Sequence, residues 1–274
     1  MQVTRRIEVA LVAVALFGLA SCGGSGDGSA GSASANSRAA SDSAASDDSL
    51  SGPATVFAAA SLTDVFGALG DQFIGDHPEV GLRFNFGPSS GLAEQINQGA
   101  PADVFASANT TQMSAVVDAG SATGEPRVFA ENVLQIAVPA GNPARITGLS
   151  DFANPELTLA ICAPQVPCGA AAEEVFAAAG ITASVDSLEE DVRAALTKVE
   201  LGEVDAALVY VTDVVSAGGA VEGIDFPETE AAVNSYPIVS LTAAPNPDAA
   251  QAFIDFVLSE AGAAALDEAG FRSP

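Results

Sequence analysis

The chain has 274 residues, with 35 acidic against 9 basic side chains and a formal net charge of −26. So few cations cannot assemble a phosphate-neutralising patch, which excludes nucleic acid as a partner. The surface also offers an anionic ligand no long-range steering, so any anion must be held at short range by preorganised N–H and O–H donors.

The first element is a leader. Arg5 and Arg6 precede an apolar run from Val9 to Leu19 that is too short to span a bilayer as a helix. The run ends in Leu19-Ala20-Ser21-Cys22, which resembles the lipobox of bacterial lipoproteins. Residues 1–22 therefore read as a lipoprotein signal peptide and Cys22 as the lipidated first residue of the mature chain. An ordinary signal peptide cut nearby is the plainer alternative. Residues 23–53 are rich in Ser, Gly and Ala and hold one large apolar residue, Leu50. Such a segment cannot bury enough surface to fold, and it reads as a disordered tether between anchor and body. The body is accordingly expected outside the cytoplasm, held at the membrane.

From residue 54 onward short apolar runs alternate with helical patterns. Thr55–Ala59, Gly81–Phe86, Asp103–Ser107, Asn132–Val138, Leu157–Cys162, Asp205–Val211 and Pro237–Thr242 read as strands. Leu62, Val65, Phe66, Leu69 and Phe73 fall on one helical face. Val192, Leu196 and Val199 repeat that spacing. Pro247 suits the first turn of a helix burying Phe253, Ile254 and Val257, and Gly270 stops the last helix. This alternation predicts an α/β sheet fold with ligands at the carboxyl ends of strands, where helices begin.

Five segments place small or hydroxyl residues at such points, and none carries a lysine. They are Ala60–Asp64, Gly87–Gly91, Pro167–Ala170, Glu190–Arg193 and the strand end Leu208–Tyr210. A helix N-terminus presents unpaired N–H groups and the positive end of a dipole, so converging ends would make a neutral cage for an oxyanion. Cys162 and Cys168, six residues apart in an exported chain, predict a disulfide. A metal site there lacks partners, because the only histidine is His77, in an Asp-His-Pro turn. Asp103 is read as an anchor at a strand start, and Arg193 as the ion-pair partner of its neighbours Asp191 and Glu190.

The motifs Val56-Phe57-Ala58-Ala59-Ala60-Ser61-Leu62-Thr63, Ser89-Ser90-Gly91-Leu92-Ala93-Glu94-Gln95-Ile96 and Gln98-Gly99-Ala100-Pro101-Ala102-Asp103-Val104-Phe105-Ala106-Ser107-Ala108 resemble the molybdate-binding protein of bacterial molybdate ABC transporters. The likeness continues through Val166-Pro167-Cys168-Gly169, Glu190-Asp191-Val192-Arg193, Leu208-Val209-Tyr210 and Ala269-Gly270-Phe271, covering residues 54–271. It implies an α/β, two-lobed periplasmic-binding-protein fold of type II. Lobe one would hold residues 54–133 and 236–274, and lobe two residues 134–235. The two crossovers would lie near Asn132–Val133 and Ser235–Tyr236. It also implies capture of molybdate or tungstate and its delivery, by a monomer, to an ABC transporter permease.

By the same resemblance Ser61 and Ser89 would bind the oxyanion through hydroxyl and backbone N–H. Cys168, standing where the family usually has Ala, and Val192 would bind through backbone N–H, and Tyr210 through its phenol. No cofactor and no metal cation follows from this; the metal enters only as an oxyanion. Singly, each residue has another reading: Ser61 as an N-cap paired with Asp64, Ser89 as a turn residue, Val192 as core, Tyr210 as a surface aromatic. The intact order of the motifs favours the ligand set. Sulfate and phosphate are alternative cargoes. A serine hydrolase is disfavoured because the chain has no Gly-x-Ser-x-Gly elbow. A cation-binding lipoprotein is disfavoured because it has no calcium-loop spacing.

Overall fold

A computed structural model of the protein describes residues 50–274. The expected signal peptide, Cys22 and the tether up to residue 49 lie outside the described residues. Among the described residues, ten strands form two five-stranded sheets of matching design. In the first, β1 (Gly52–Ala59) runs parallel between β2 (Val80–Gly87) and β3 (Val104–Ala106). β10 (Asn234–Leu241) then pairs antiparallel with β3 and with β4 (Ala122–Asn132). In the second, β6 (Leu159–Cys162) runs parallel between β7 (Ser187–Glu189) and β8 (Ala206–Tyr210). β5 (Leu134–Pro139) pairs antiparallel with β8 and with β9 (Val221–Ile224).

Helices cover both sheets, giving the α/β architecture that the alternation predicts. α1 (Thr63–Asp76) buries Val65, Phe66, Leu69 and Phe73 as spaced in the sequence. With β1 and α7 (Pro247–Val257) it builds a core in which Phe66, Phe73 and Phe253 meet edge-on. β1 alternates from Val56 to Ala58. Val56 and Ala58 enter that core, while Phe57 faces a second layer with Leu92 and Ile96 of α2 (Ser89–Asn97) and Met113 and Val116 of α3 (Thr110–Asp118). The second sheet packs against α4 (Pro167–Ala179), α5 (Val192–Glu200) and α6 (Val211–Ala217). α8 (Glu260–Glu268) ends the fold, and Gly270 follows it at φ +91°.

Several boundaries depart from the sequence reading. Gly52 and Pro53, expected in the tether, open β1 opposite Val80 and Gly81, so the strand starts ahead of Thr55. The single strand expected over Asn132–Val138 is broken. Asn132 closes β4 and Leu134 opens β5, with Val133 carrying the chain from one sheet to the other. The return passes through a 3-10 turn at Pro227–Ala231, and Ser235–Tyr236 already lies inside β10. β4, β7 and β9 are absent from the sequence reading, and all three are sheet edges. Asp103 does anchor a strand start: its buried carboxylate accepts from Thr55 N–H and Asn246 N–H, both at 2.6 Å. His77 caps the C-terminus of α1 with its ring 4.6 Å from that of Phe73.

Candidate functional site

The carboxyl ends of the parallel strands in both sheets face one cavity. Ser61 sits in a 3-10 turn, Ala60–Leu62, between β1 and α1. Ser89 is the first residue of α2, Cys168 the second of α4 after Pro167, and Val192 the first of α5. Tyr210 ends β8 and precedes α6. All five line the cavity together with Ala59, Ala60, Gly87, Pro88, Ala108, Val166, Pro167 and Asp191, and all five are buried. The free space is about 20 Å³, the room of one compact polyatomic ion and far below that of an organic-ligand pocket. Among the described residues, no lysine, arginine or histidine is in the wall.

Helix capping separates this end of the molecule from the rest. α3, α7 and α8, which do not line the cavity, have their N-termini closed by the side chains of Asn109, Asn246 and Ser259. α2 and α4, and the 3-10 turn ahead of α1, have no side-chain cap. Their first N–H groups have no intrahelical acceptor and stay available to an anion. α5 is intermediate. Asp191 accepts from Ala194 N–H at 2.9 Å, which leaves the earlier N–H of Val192 unspent.

The hydroxyls are prepared for the same task. Ser89 Oγ accepts from Ala108 N–H at 3.0 Å, so its own hydrogen is left to donate. Ser61 Oγ lies 2.9 Å from Tyr236 Oη. Tyr210 is about 1% exposed, and its Oη has no hydrogen-bond partner among the described residues. Burial, with Tyr236 and Asp213 nearby, pushes its phenol well above the ordinary range, so it is a neutral donor at any physiological pH.

Cys162 and Cys168 form the expected disulfide, with Cα atoms 5.6 Å apart. It joins the end of β6 to the first turn of α4, and so pins the position of the Cys168 N–H. Gly169 completes this turn, because a Cβ there would meet the carbonyl oxygens of Ala163 and Cys162.

Arg193 does not pair with Asp191 or Glu190 as its sequence neighbours suggested. Its guanidinium reaches Asp64 of α1 and donates to Ser216 Oγ at 2.9 Å, while its Nε faces Asp213 Oδ1 at 3.5 Å. Asp213 is fully buried, and its other oxygen accepts from Tyr210 N–H at 3.0 Å. Burial pushes the Asp213 carboxyl up to about 7, against the pull of Arg193 and of that N–H; Asp191 and Asp64 add to the rise. No local pattern singles out Tyr236. The only available signal was scarcity, since the chain has two tyrosines and both are buried beside this cavity.

Residues 54–272 match the model of the bacterial extracellular solute-binding proteins. The chain belongs to that family. Within the family it is 43% identical over 219 residues to the molybdate-binding protein ModA of Mycobacterium tuberculosis, spanning 80% of this chain and 84% of that one. Two solved structures share the solute-binding fold with a TM-score of 0.70 over 81% of this chain. The periplasmic molybdate-binding protein of Azotobacter vinelandii is 19% identical with 99% of its chain covered, and the sulfate-binding protein SubI of Mycobacterium tuberculosis is 18% identical with 86% covered. At those identities the shared fold does not distinguish one oxyanion from another.

Proposed function

We propose that this protein captures molybdate, and tungstate with it, and delivers the ion to an ABC transporter permease. The observation that carries this reading is the meeting of four helix starts, with no lysine, arginine or histidine in the wall among the described residues, and one buried phenol around a space for a single compact ion. Ser61 and Ser89 donate hydroxyl and backbone N–H groups. Cys168 and Val192 donate backbone N–H groups, and Tyr210 donates its phenol. The similarity to molybdate-binding proteins supports the same assignment. Two lobes, residues 54–133 with 236–274 and residues 134–235, close on the ion about the crossings beside Asn132 and Asn234. A lipid on Cys22 holds the monomer at the outer face of the membrane through its tether.

Selectivity follows from the fixed positions of donors in two lobes. Molybdate and tungstate are close in size and charge, whereas sulfate carries the same charge on a smaller tetrahedron. A cavity closed around the larger ions stretches several hydrogen bonds at once around sulfate, and each buried donor left unpaired costs about 1–3 kcal/mol. Titration calorimetry with molybdate, tungstate, sulfate and phosphate tests the assignment. The expected order places the first two tighter by orders of magnitude, and sulfate binding as tightly as molybdate overturns it. Mass spectrometry of the membrane-bound protein should find a diacylglyceryl group on Cys22. A soluble mature chain starting elsewhere removes the anchor from the proposal.

A further inference from the structure

Tyr236 lies behind the cavity wall, fully buried on β10, with its ring edge-on to Phe129, Tyr210 and Phe271. Its hydroxyl is 2.9 Å from Ser61 Oγ, and by geometry either oxygen can be the donor. A fully ionised tetrahedral oxyanion has only acceptors, so a serine can serve it only by giving up its single O–H hydrogen. Ser61 then has nothing left to donate to Tyr236, and the Tyr236 O–H must donate to Ser61.

Ser89 has the same polarity by a different route. Its oxygen accepts from the Ala108 backbone N–H, a donor that cannot reverse. Each serine thus has a protein donor behind it and its own hydrogen in front. The difference is that the partner of Ser61 is a hydroxyl, whose direction must itself be set. The Asn132 side chain and the Tyr210 hydroxyl both neighbour the Tyr236 oxygen, but Tyr210 Oη makes no hydrogen bond among the described residues, and one Asn132 amide hydrogen is already given to Thr212 Oγ1 at 2.9 Å. An amide donor on that side turns the Tyr236 hydrogen towards Ser61. Asp191, the one carboxylate in the wall among the described residues, commits its Oδ1 to Ala194 N–H at the N-terminus of α5.

We propose that Tyr236 is a positioning residue for anion selectivity: by donating to Ser61 it locks that hydroxyl as a donor, so the cavity rejects tetrahedral anions that retain a proton. The inference rests on the oxyanion-binding reading above. A protonated anion such as monohydrogen phosphate brings an O–H that needs an acceptor. With Tyr236 in place Ser61 cannot supply one. Without it the Ser61 hydroxyl turns freely and can accept.

The test is titration of molybdate and of inorganic phosphate, which keeps at least one proton at neutral pH, into the wild type, Tyr236→Phe, Ser61→Ala and the double variant. Tyr236→Phe should weaken molybdate about tenfold, a change of ~1.4 kcal/mol, while phosphate holds or tightens. The preference for molybdate then falls at least tenfold. In the Ser61→Ala background the same change should cost almost nothing further. Equal weakening of both anions, or an unchanged molybdate affinity, overturns the proposal, since a merely structural residue would not move the ratio. If Tyr236→Phe does not fold, a neutron map of the deuterated wild type with molybdate decides. A deuteron on Tyr236 Oη directed at Ser61 supports the proposal, and one on Ser61 Oγ directed at Tyr236 overturns it. A wild type that binds no molybdate would remove the function reading itself, an outcome distinct from either of these.

Discussion

Arg193 of α5 pairs with Asp64 of α1, so one guanidinium ties a helix on the second sheet to a helix on the first, beside the cavity. The Asp64 side chain is well exposed, and exposed ion pairs contribute only about 0.2–1 kcal/mol. Asp64→Asn should therefore leave the unfolding midpoint almost unchanged. If the two lobes close on the ion as proposed, it should raise the molybdate dissociation rate by up to about fivefold, because the pair joins helices of the two sheets. Stopped-flow displacement of molybdate by tungstate measures this rate, and an unaltered rate would restrict the pair to a structural role.

The other side of Arg193 faces Asp213, which cannot reach water. Breaking a buried pair from one side leaves an uncompensated charge and costs about 3–5 kcal/mol, less here because Arg193 is partly exposed. Arg193→Met should destabilise the protein by roughly 2–3 kcal/mol at pH 8. The loss should be smaller at pH 5, where Asp213 can take up a proton. Urea unfolding of the variant at both pH values measures the difference.

Asp213 also gives the wild type a pH dependence of defined sign. Its folded carboxyl lies at about 7 against an ordinary value of 3.8, so between these the folded state holds more protons than the unfolded. Stability from this group is fully present below about pH 4 and is lost as pH rises through 7. Across that window each step of one in pH removes about 1.4 kcal/mol at most. Asp213→Asn should flatten this part of the stability profile. Equal slopes for wild type and variant between about pH 4 and 7 would assign the dependence to other carboxylates.

Gly169 supports the Cys168 donor from below. A methyl group there collides with the carbonyl oxygens of Ala163 and Cys162, which are backbone and cannot swing aside. Gly169→Ala should lower stability by roughly 1–3 kcal/mol and move the start of α4, with a matching loss of molybdate affinity. Thermal unfolding and calorimetry on the same sample separate the two effects. The double change Cys162→Ala, Cys168→Ala is the contrast: about 2 kcal/mol less stable, with most affinity kept because the N–H remains.

Tyr210 should show opposite effects on stability and binding. Its buried hydroxyl has no hydrogen-bond partner among the described residues. Tyr210→Phe removes that unpaired group, so the unliganded protein should be unchanged or up to about 1 kcal/mol more stable. Molybdate affinity should fall about 10- to 100-fold with the lost donor. A variant that loses stability and keeps affinity would place the phenol in packing alone.

The elements that lie inside the sheets were legible in the sequence, and of the four edge strands only β2 was. β1, β2, β3, β6, β8 and β10 leave apolar runs, and all but β2 have neighbours on both sides. β4 is mostly solvent-exposed along its first half, and β7 and β9 have three and four residues, so no apolar run marks them. The helix starts that hold Ser61, Ser89, Cys168 and Val192 could also be read, because small and hydroxyl residues, Pro167 and the Asp191 cap are local features of the chain.

What the chain order cannot express is which groups meet across it. Arg193 stands two residues from Asp191 in sequence yet pairs with Asp64 and Asp213, because Asp191 is spent on capping its own helix and the guanidinium extends away from it. Tyr236 lies 175 residues from Ser61 and joins it only because β10 returns between β3 and β4. The local sequence thus determined where donors could be exposed, through caps and turn residues. Only the tertiary structure decided that they converge, which of them are backed by a second donor, and how small a space they enclose. Those properties depend on packing between segments remote in sequence, and no local pattern records it.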